Sequence, residues 1–156
     1  MPRQLTFDLP VRPALGRGDF FVSPANALAV AQVDAGDWPE GKLLLIGPEG
    51  AGKSHLAQVW AGENDAAVLS AGAVPEEAVE APAVVVEDAD RIAGDRAAET
   101  ALFHLHNHVL ARGGRLLVTA ASPPRNWGLC LPDLASRMEA TAVAEWRGER
   151  VAAPAA

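Results

Sequence analysis

Hydrophobic positions along the chain fall into two alternating patterns. One is a short, almost continuous apolar run, which is typical of a strand buried in a parallel sheet. These runs are "KLLLIG" (42–47), "AAVLS" (66–70), "AVVVE" (83–87), "RLLVTA" (115–120) and "EATAVAEW" (139–146). The other pattern has helical periodicity, in "ANALAVAQV", "KSHLAQVWA", "RAAETALFHLHNHVLAR" and "LPDLASRM". Because the two alternate, we predict an α/β fold with a five-stranded parallel sheet and helices on both faces.

Several helix boundaries are marked by residues with specific local roles. Ser23 is a good N-cap and Pro24 suits the first helical position, so a helix should begin there. It should end near residues 34–36. Gly62 should end the helix that follows the first strand, and Pro132 should begin the short helix before the last strand.

The overall composition fits one compact domain. Of the 156 residues, 49% are hydrophobic and 21% charged, so a packed core is expected. We predict a core domain over residues 23–146, a lead-in over residues 1–22 and a disordered tail over residues 147–156. The net charge is -7 and there is no basic tract, which argues against direct DNA binding.

Cysteine usage and hydropathy favour a cytoplasmic protein. The single cysteine, Cys130, excludes an internal disulfide. No apolar run approaches the length of a membrane span, and the N-terminus lacks a signal-peptide pattern. We expect Cys130 to be a loop or buried thiol and not a nucleophile.

The segment "GPEGAGKS" carries the strongest chemical signal, because it fits the phosphate-binding pattern G-x-x-x-x-G-K-[ST] at every fixed position. Its glycines let consecutive N–H groups face phosphate oxygens, Lys53 would reach the β and γ phosphates, and Ser54 would offer a hydroxyl to Mg²⁺. The alternative is a glycine-rich turn that matches by chance, and the flanking strand and helix argue against it. The predicted nucleotide-binding residues are Gly47, Pro48, Glu49, Gly50, Ala51, Gly52, Lys53, Ser54 and His55.

Two acidic residues follow the third apolar run, as an ATPase would require. Glu87 should hold Mg²⁺ together with Ser54, and Asp88 should orient or deprotonate the attacking water. The usual order of the two acids is reversed here, so we expect nucleotide binding with slow hydrolysis. The alternative is two acids in a solvated loop.

The long helix carries three closely spaced histidines that suggest a metal site. Residues two apart on a helix face away from each other, so His104, His106 and His108 cannot share one ion. His104 and His108 could do so, but zinc sites normally need three or four ligands. Ordinary surface and half-buried histidines are therefore the favoured interpretation.

Arg137, in "LPDLASRM", has two possible roles that the spacing does not separate. In ring-forming ATPases an arginine at this point of the chain projects towards a neighbouring subunit's nucleotide. Alternatively, Arg137 is a surface residue that pairs with Asp133, four residues upstream on the same helix.

Together these residues resemble the AAA+ domains of the DnaA/Hda family of bacterial replication proteins, and the similarity is greater to the Hda-like regulatory inactivators of DnaA. It extends from about Gln4 to Trp146. The matching stretches are "FFVSPANALAV", "GPEGAGKSHLAQVW", "LFHLHNHVLARGGRLLVTAASPP" and "LPDLASRM". The resemblance implies a P-loop NTPase core, ATP or ADP with Mg²⁺ as cofactors, and Arg137 acting in trans on ATP held by DnaA.

The resemblance also gives the N-terminal segment "QLTFDL" a role. Hda-like proteins carry a glutamine followed by spaced hydrophobic residues, and this peptide docks on the DNA polymerase sliding clamp. The corresponding residues here are Gln4, Leu5, Phe7 and Leu9. An extended segment of this kind suits a surface groove. The alternative is an edge strand or a disordered end.

The implied function is regulation of replication initiation by stimulating hydrolysis of DnaA-bound ATP. The sequence departs from the family in having Ala121 where relatives have an acidic sensor residue, with Thr119 as the nearest polar substitute, and in lacking the helical lid after the fifth strand. The first departure favours binding over turnover. The second should weaken nucleotide affinity, hydrolysis and ring-like assembly. Two alternatives remain open: an autonomous DnaA-like or helicase-loader ATPase, and a clamp adaptor that hydrolyses nothing. Self-association also remains open.

Overall fold

The structure, a computed structural model, describes residues 26–49 and 52–146. These residues form one parallel sheet with helices on both faces, as the hydrophobic pattern predicts. The strands are Lys42–Ile46 (β1), Ala66–Ser70 (β2), Ala83–Glu87 (β3), Arg115–Ala120 (β4) and Ala142–Glu145 (β5). The α-helices are Ala27–Ala35 (α1), Lys53–Asn64 (α2), Arg96–Ala111 (α3) and Pro132–Glu139 (α4).

The strands lie in the order β2-β3-β4-β1-β5, and every neighbouring pair is parallel. In β1, Leu44 is opposite Val118 of β4 on one side and Val143 of β5 on the other. Because all five strands run the same way, their carboxyl ends share one edge of the sheet. The loop after β1 therefore lies at the same edge as the last residues of β3 and β4.

The core consists of two layers, one on each face of the sheet. Alternate residues of β1 contribute to opposite layers, with Leu43 and Leu45 on one face and Leu44 and Ile46 on the other. The first layer packs under α1 and α2, and the second under α3 and α4. This near-continuous apolar strand is what burial on both faces requires.

Two boundaries differ from those predicted, the end of α2 and the start of β5. Helix α2 continues through Gly62 and ends at Asn64, before Asp65 in a left-handed conformation with φ 54°. A helical glycine costs only about 1 kcal/mol relative to alanine, and the buried side chains of α2 outweigh that cost. Strand β5 begins at Ala142 and not at Glu139, because Glu139 completes the last turn of α4.

Helix α1 ends as predicted, with Gly36 at φ 73° after its last residue. The predicted N-terminal residues of that helix, Ser23 and Pro24, lie outside the described residues. Within the described part of the chain, no helix combines the length and apolarity needed to cross a membrane.

Candidate functional site

A small cleft lies at the carboxyl edge of the sheet, where the loop after β1 meets the ends of β3 and β4. Its volume is about 270 Å³. Parallel pairing brings these segments together although they are far apart in sequence. The cleft is lined by Glu49, Gly52, Lys53, Ser54, Glu87, Asp88 and Thr119.

Two glycines of the loop pack directly against the buried Trp146, which follows β5. Gly52 has φ 109°, and a Cβ atom there would lie 3.0 Å from the Trp146 ring. A Cβ atom on Gly47 would approach the Trp146 Cβ to 2.7 Å, closer than real contacts allow. Both positions therefore need glycine, and Trp146 forms the floor of the loop.

The Lys53 side chain is buried beside the loop, and its Nζ donates a hydrogen bond to the Pro48 carbonyl at 3.3 Å. Burial lowers the pKa of Lys53, and the carboxylates of Asp88, Asp90 and Glu49 oppose that shift. The side chain is thus a cation surrounded by acidic groups at the base of the cleft.

Ser54 and Glu87 are in direct contact across the cleft. The Ser54 hydroxyl donates to Glu87 Oε1 at 3.0 Å. The second carboxylate oxygen, Glu87 Oε2, is buried and has no hydrogen-bond partner among the described residues. A buried, unpartnered carboxylate oxygen beside a hydroxyl fits a hard divalent cation such as Mg²⁺, which prefers oxygen ligands.

Asp88 adopts an unusual backbone conformation, with φ 63° and ψ 45°. Its backbone N–H donates to Thr119 Oγ1 at 3.1 Å. Aspartate tolerates the left-handed region better than most residues, and such conformations concentrate at functional sites. Asp88 lines the cleft, and its carboxylate raises the pKa of the neighbouring Lys53.

Two residues beside the cleft were not predicted from the sequence. The Asp90 carboxylate accepts the Ala121 N–H at 3.2 Å, and Arg91 forms an ion pair with Glu49 across the mouth of the cleft. Both belong to a short 3₁₀ helix, Ala89–Ile92, that turns back along the sheet edge. Asp90 and Arg91 follow Asp88 closely in sequence, which could have suggested a position near the cleft. The local sequence does not, however, fix the direction in which the chain turns after β3.

Not every predicted nucleotide-binding residue lines the cleft. Gly47 and Pro48 come before the first residue that lines it, Glu49. His55 is half-buried in the first turn of α2 and does not line the cleft. Gly50 and Ala51 lie outside the described residues, as do the predicted clamp-binding residues Gln4, Leu5, Phe7 and Leu9.

Arg137 is not part of the cleft. It lies in the last turn of α4, its side chain is exposed, and its carbonyl accepts a hydrogen bond from Lys42 at the first residue of β1. The cleft lies beyond the other end of β1, which spans about 13 Å at 3.3 Å per residue. The described residues show no ion pair between Arg137 and Asp133.

The three histidines of α3 have different surroundings. His104 is exposed, His106 is buried against Lys42, and His108 Nε2 lies 3.7 Å from a carboxylate oxygen of Glu80. Cys130 is exposed in the loop before α4. Among the residues that the structure describes, no group of three or more metal-binding side chains is close enough to hold an ion.

A larger cavity, of about 830 Å³, lies elsewhere, between the segment Pro75–Val79 and one face of α3. Its lining includes no lysine and no carboxylate from a strand end, whereas the small cleft combines both with the Ser54 hydroxyl. We therefore identify the candidate site by its chemistry and not by its size.

No protein-family model matches the chain. Domain III of the Thermotoga maritima replication initiation protein DnaA is similar in structure, with a TM-score of 0.73 and 20% identity over 88% of this chain and 69% of that one. AMPPCP-bound DnaA from Aquifex aeolicus gives a TM-score of 0.75 and 18% identity over 86% of this chain. A Neisseria meningitidis protein solved in solution gives a TM-score of 0.51 and 26% identity, covering 80% of this chain and 84% of that one.

The chain spans about half the length of the longer DnaA structures, of which 50% is covered. At sequence identities of 18–20%, the similarity to the DnaA structures is one of fold alone. The order and parallel pairing of the five strands, together with the loop after β1, agree with that likeness. The described residues therefore have the fold of a DnaA-like AAA+ P-loop core, as the sequence predicted.

Proposed function

We propose that this protein binds an adenine nucleotide with Mg²⁺ in the small cleft and acts as an Hda-like regulator of replication initiation. The observation that carries the nucleotide proposal is the contact between Ser54 and Glu87 beside the buried Lys53. These are the three groups that the phosphates and metal of a nucleotide require. The DnaA-like fold is consistent with this assignment.

In the proposed complex, Lys53 Nζ leaves the Pro48 carbonyl and binds the β and γ phosphates. The N-terminus of α2 adds its partial positive charge at the same place. Ser54 Oγ and Glu87 hold Mg²⁺, which neutralises phosphate charge when bound. The carboxylates of Asp88, Asp90 and Glu49 lie near Lys53 and would repel the phosphates, so a bound cation is needed to offset that repulsion.

The same cleft is poorly equipped for rapid hydrolysis. Asp88 is one methylene shorter than the glutamate that most such ATPases use at its position. The Thr119 hydroxyl accepts the Asp88 N–H, and Ala121 offers no polar side chain beside it. These features support a protein that holds its nucleotide more than it turns it over.

Arg137 supports a role on a second molecule. Its exposed side chain is at the opposite edge of the sheet from its own cleft, so only a nucleotide bound elsewhere is within its reach. We propose that this nucleotide is ATP held by DnaA, and that Gln4, Leu5, Phe7 and Leu9 bring the protein to the sliding clamp. Both partners are proposed from the sequence resemblance.

One observation favours the alternative of an autonomous ATPase. Glu87 and Asp88 both line the cleft, which is where an autonomous ATPase would use two acids. Steady-state turnover of the isolated protein separates this function from the regulator.

The test is phosphate release from ATP-bound DnaA in the presence of DNA-loaded clamp. We expect the wild-type protein to accelerate release, Arg137→Ala to abolish the effect, and deletion of residues 1–12 to weaken it at limiting clamp. A peptide of residues 1–12 should bind the clamp alone. No acceleration by the wild type would exclude the regulator, and full activity of Arg137→Ala would exclude its proposed mechanism.

A further inference from the structure

Helix α4, which carries Arg137, is too short to hold its own shape. It has eight residues, and isolated helices shorter than about 12–15 residues are marginal in water. The position of the Arg137 side chain therefore depends on the contacts that the rest of the domain makes with α4. Two buried charged residues contact its two ends.

A buried carboxylate receives the N-terminal end of α4. Glu99, on α3, has no solvent exposure, and its oxygens accept the N–H groups of Cys130 and Leu131 at 2.9 Å. Leu131 is the N-cap residue of α4. Glu99 also accepts the Gly94 N–H at 2.8 Å. A negative charge at a helix N-terminus is stabilising, because the unpaired N–H groups there carry partial positive charge.

A buried ammonium binds the C-terminal end. Lys42 Nζ donates to the Arg137 carbonyl at 3.1 Å and to His106 Nε2 at 3.0 Å. The other ring nitrogen of His106 lies 2.9 Å from Asn107 Oδ1, so His106 is neutral with its proton on Nδ1. The Thr141 hydroxyl donates to the same Arg137 carbonyl at 2.8 Å. A cation here complements the partial negative charge of the helix C-terminus.

The two contacts align α4 against one face of α3. Glu99 and His106 lie about two turns apart on α3, so they face the same way. Glu99 binds the beginning of α4 directly, and His106 holds the ammonium that binds its end. Both charged residues are buried, so solvent has little access to the groups that hold α4.

We infer that Glu99 and Lys42 are positioning residues for Arg137, fixing α4 so that the guanidinium is presented to a phosphate on the partner ATPase. The inference rests on the proposed function of Arg137. Neither residue would touch the partner's nucleotide. They would influence the attack of water on the γ-phosphate only by fixing the orientation of Arg137.

The main test is Lys42→Met in the full chain, which removes the ammonium and keeps most of the side-chain length. We expect the maximum acceleration of ATP hydrolysis on the partner to fall about tenfold or more, since small misplacements of a catalytic group are costly. The concentration giving half-maximal acceleration should stay within about twofold, because the docking surface is unchanged. The affinity of the protein's own cleft for ADP should also be unchanged.

Thr141→Val provides a milder variant in case Lys42→Met does not fold. It removes one donor to the Arg137 carbonyl without changing shape, and we expect a maximum about threefold to tenfold lower. Thr100→Val is the matched control, because Thr100 Oγ1 makes the same bond to the Arg96 carbonyl, at 2.8 Å, in the first turn of α3. An equal effect of the two threonine variants, or a full maximum in Thr141→Val, would overturn the inference.

Amide hydrogen exchange separates this inference from the function on which it rests. Ala140 and Thr141 donate their N–H groups to carbonyls in the last turn of α4. In the variants of Lys42 and Thr141 these amides should exchange about tenfold faster, with the amides of β3 and β4 unchanged. If the wild type fails to stimulate the partner, the proposed function fails, and exchange alone decides whether α4 is anchored. Unchanged exchange would overturn the anchoring.

Discussion

At the scale of single residues, the most informative feature is the position of the two lysines, one at the small cleft and one at the end of α4. The chain has only two lysines, and both are buried. Lys53 lines the small cleft, and Lys42 donates a hydrogen bond to the Arg137 carbonyl at the end of α4. Lys53 donates a hydrogen bond to the Pro48 carbonyl and Lys42 donates one to the Arg137 carbonyl, so removing each lysine has a distinct and testable effect.

We expect Lys53→Ala to abolish ADP binding, because Lys53 is the one cationic side chain among the residues that line the described cleft. Titration calorimetry with ADP and Mg²⁺ measures this. Arg125→Ala is the control, since it removes an exposed positive charge from another loop. Equal affinity in wild type and Lys53→Ala would show that nucleotide does not bind at this loop.

Glu99 predicts a dependence of stability on pH. Burial raises the pKa of its carboxyl, but the hydrogen bonds from Cys130, Gly94 and Leu131 outweigh burial and leave the pKa below its ordinary value. Its contribution is therefore complete above the ordinary pKa of about 4.3 and is lost as the pH falls through the lower, folded-state value.

Glu99→Gln should lower the free energy of unfolding by about 2 kcal/mol at pH 7, since hydrogen bonds to a charged group are lost. The loss should shrink as the pH falls below about 4. Urea unfolding of wild type and variant at pH 7 and at pH 3.5 to 4 measures both. A difference between them that is constant with pH would show that Glu99 is not ionised in the folded protein.

At the scale of elements, the glycines show where local preference decides and where it does not. Gly62 is an exposed residue inside α2, and its backbone is helical. Gly113, after α3, has φ 79° in open space. The sequence predicted a helix end at Gly62, which is wrong, whereas Gly113 does lie just beyond the end of α3.

Gly62→Ala should therefore stabilise the protein by about 0.5–1 kcal/mol, because alanine loses less backbone entropy in a helix. Gly113→Ala should destabilise it, because alanine is strained at a positive φ although nothing crowds the site. Thermal unfolding of the two variants measures both signs. Destabilisation by Gly62→Ala would contradict the continuous helix through Asn64.

At the scale of the whole molecule, the two functional regions lie at opposite edges of one sheet. The cleft is at the carboxyl edge, and Arg137 is near the amino edge at Lys42. Under the proposed function, a single sheet would hold one site for its own nucleotide and present one arginine to another molecule. This arrangement suits a regulator, and it predicts that the two activities can be removed separately.

The isolated protein should hydrolyse ATP well below the usual enzymatic range of about 1 to 10³ s⁻¹. The shortened acid Asp88 and the missing polar group at Ala121 are the reasons. Steady-state phosphate release measures the rate, with Lys53→Ala as the background control. Turnover within that range would contradict the regulator proposal and favour an autonomous ATPase.

The sequence alone determined the bounds of three strands and the residue pattern of the loop after β1, because both depend on neighbours in the chain. The runs at 66–70, 83–87 and 115–120 match β2, β3 and β4 residue for residue. Short apolar runs between polar or glycine residues leave little choice of boundary. The glycine, lysine and serine of the loop likewise form one continuous pattern.

Only the tertiary structure decided the order of the strands, the floor of the loop and the anchoring of α4. Trp146 meets Gly52, Lys42 meets Arg137, and Glu99 meets Leu131 across long stretches of chain. No local pattern marks a lysine at the start of a strand, or a glutamate in a helix, as buried. Both are buried because packing β1 and α3 against α4 places unpaired backbone groups beside them, and a buried charge is stable only where such partners exist.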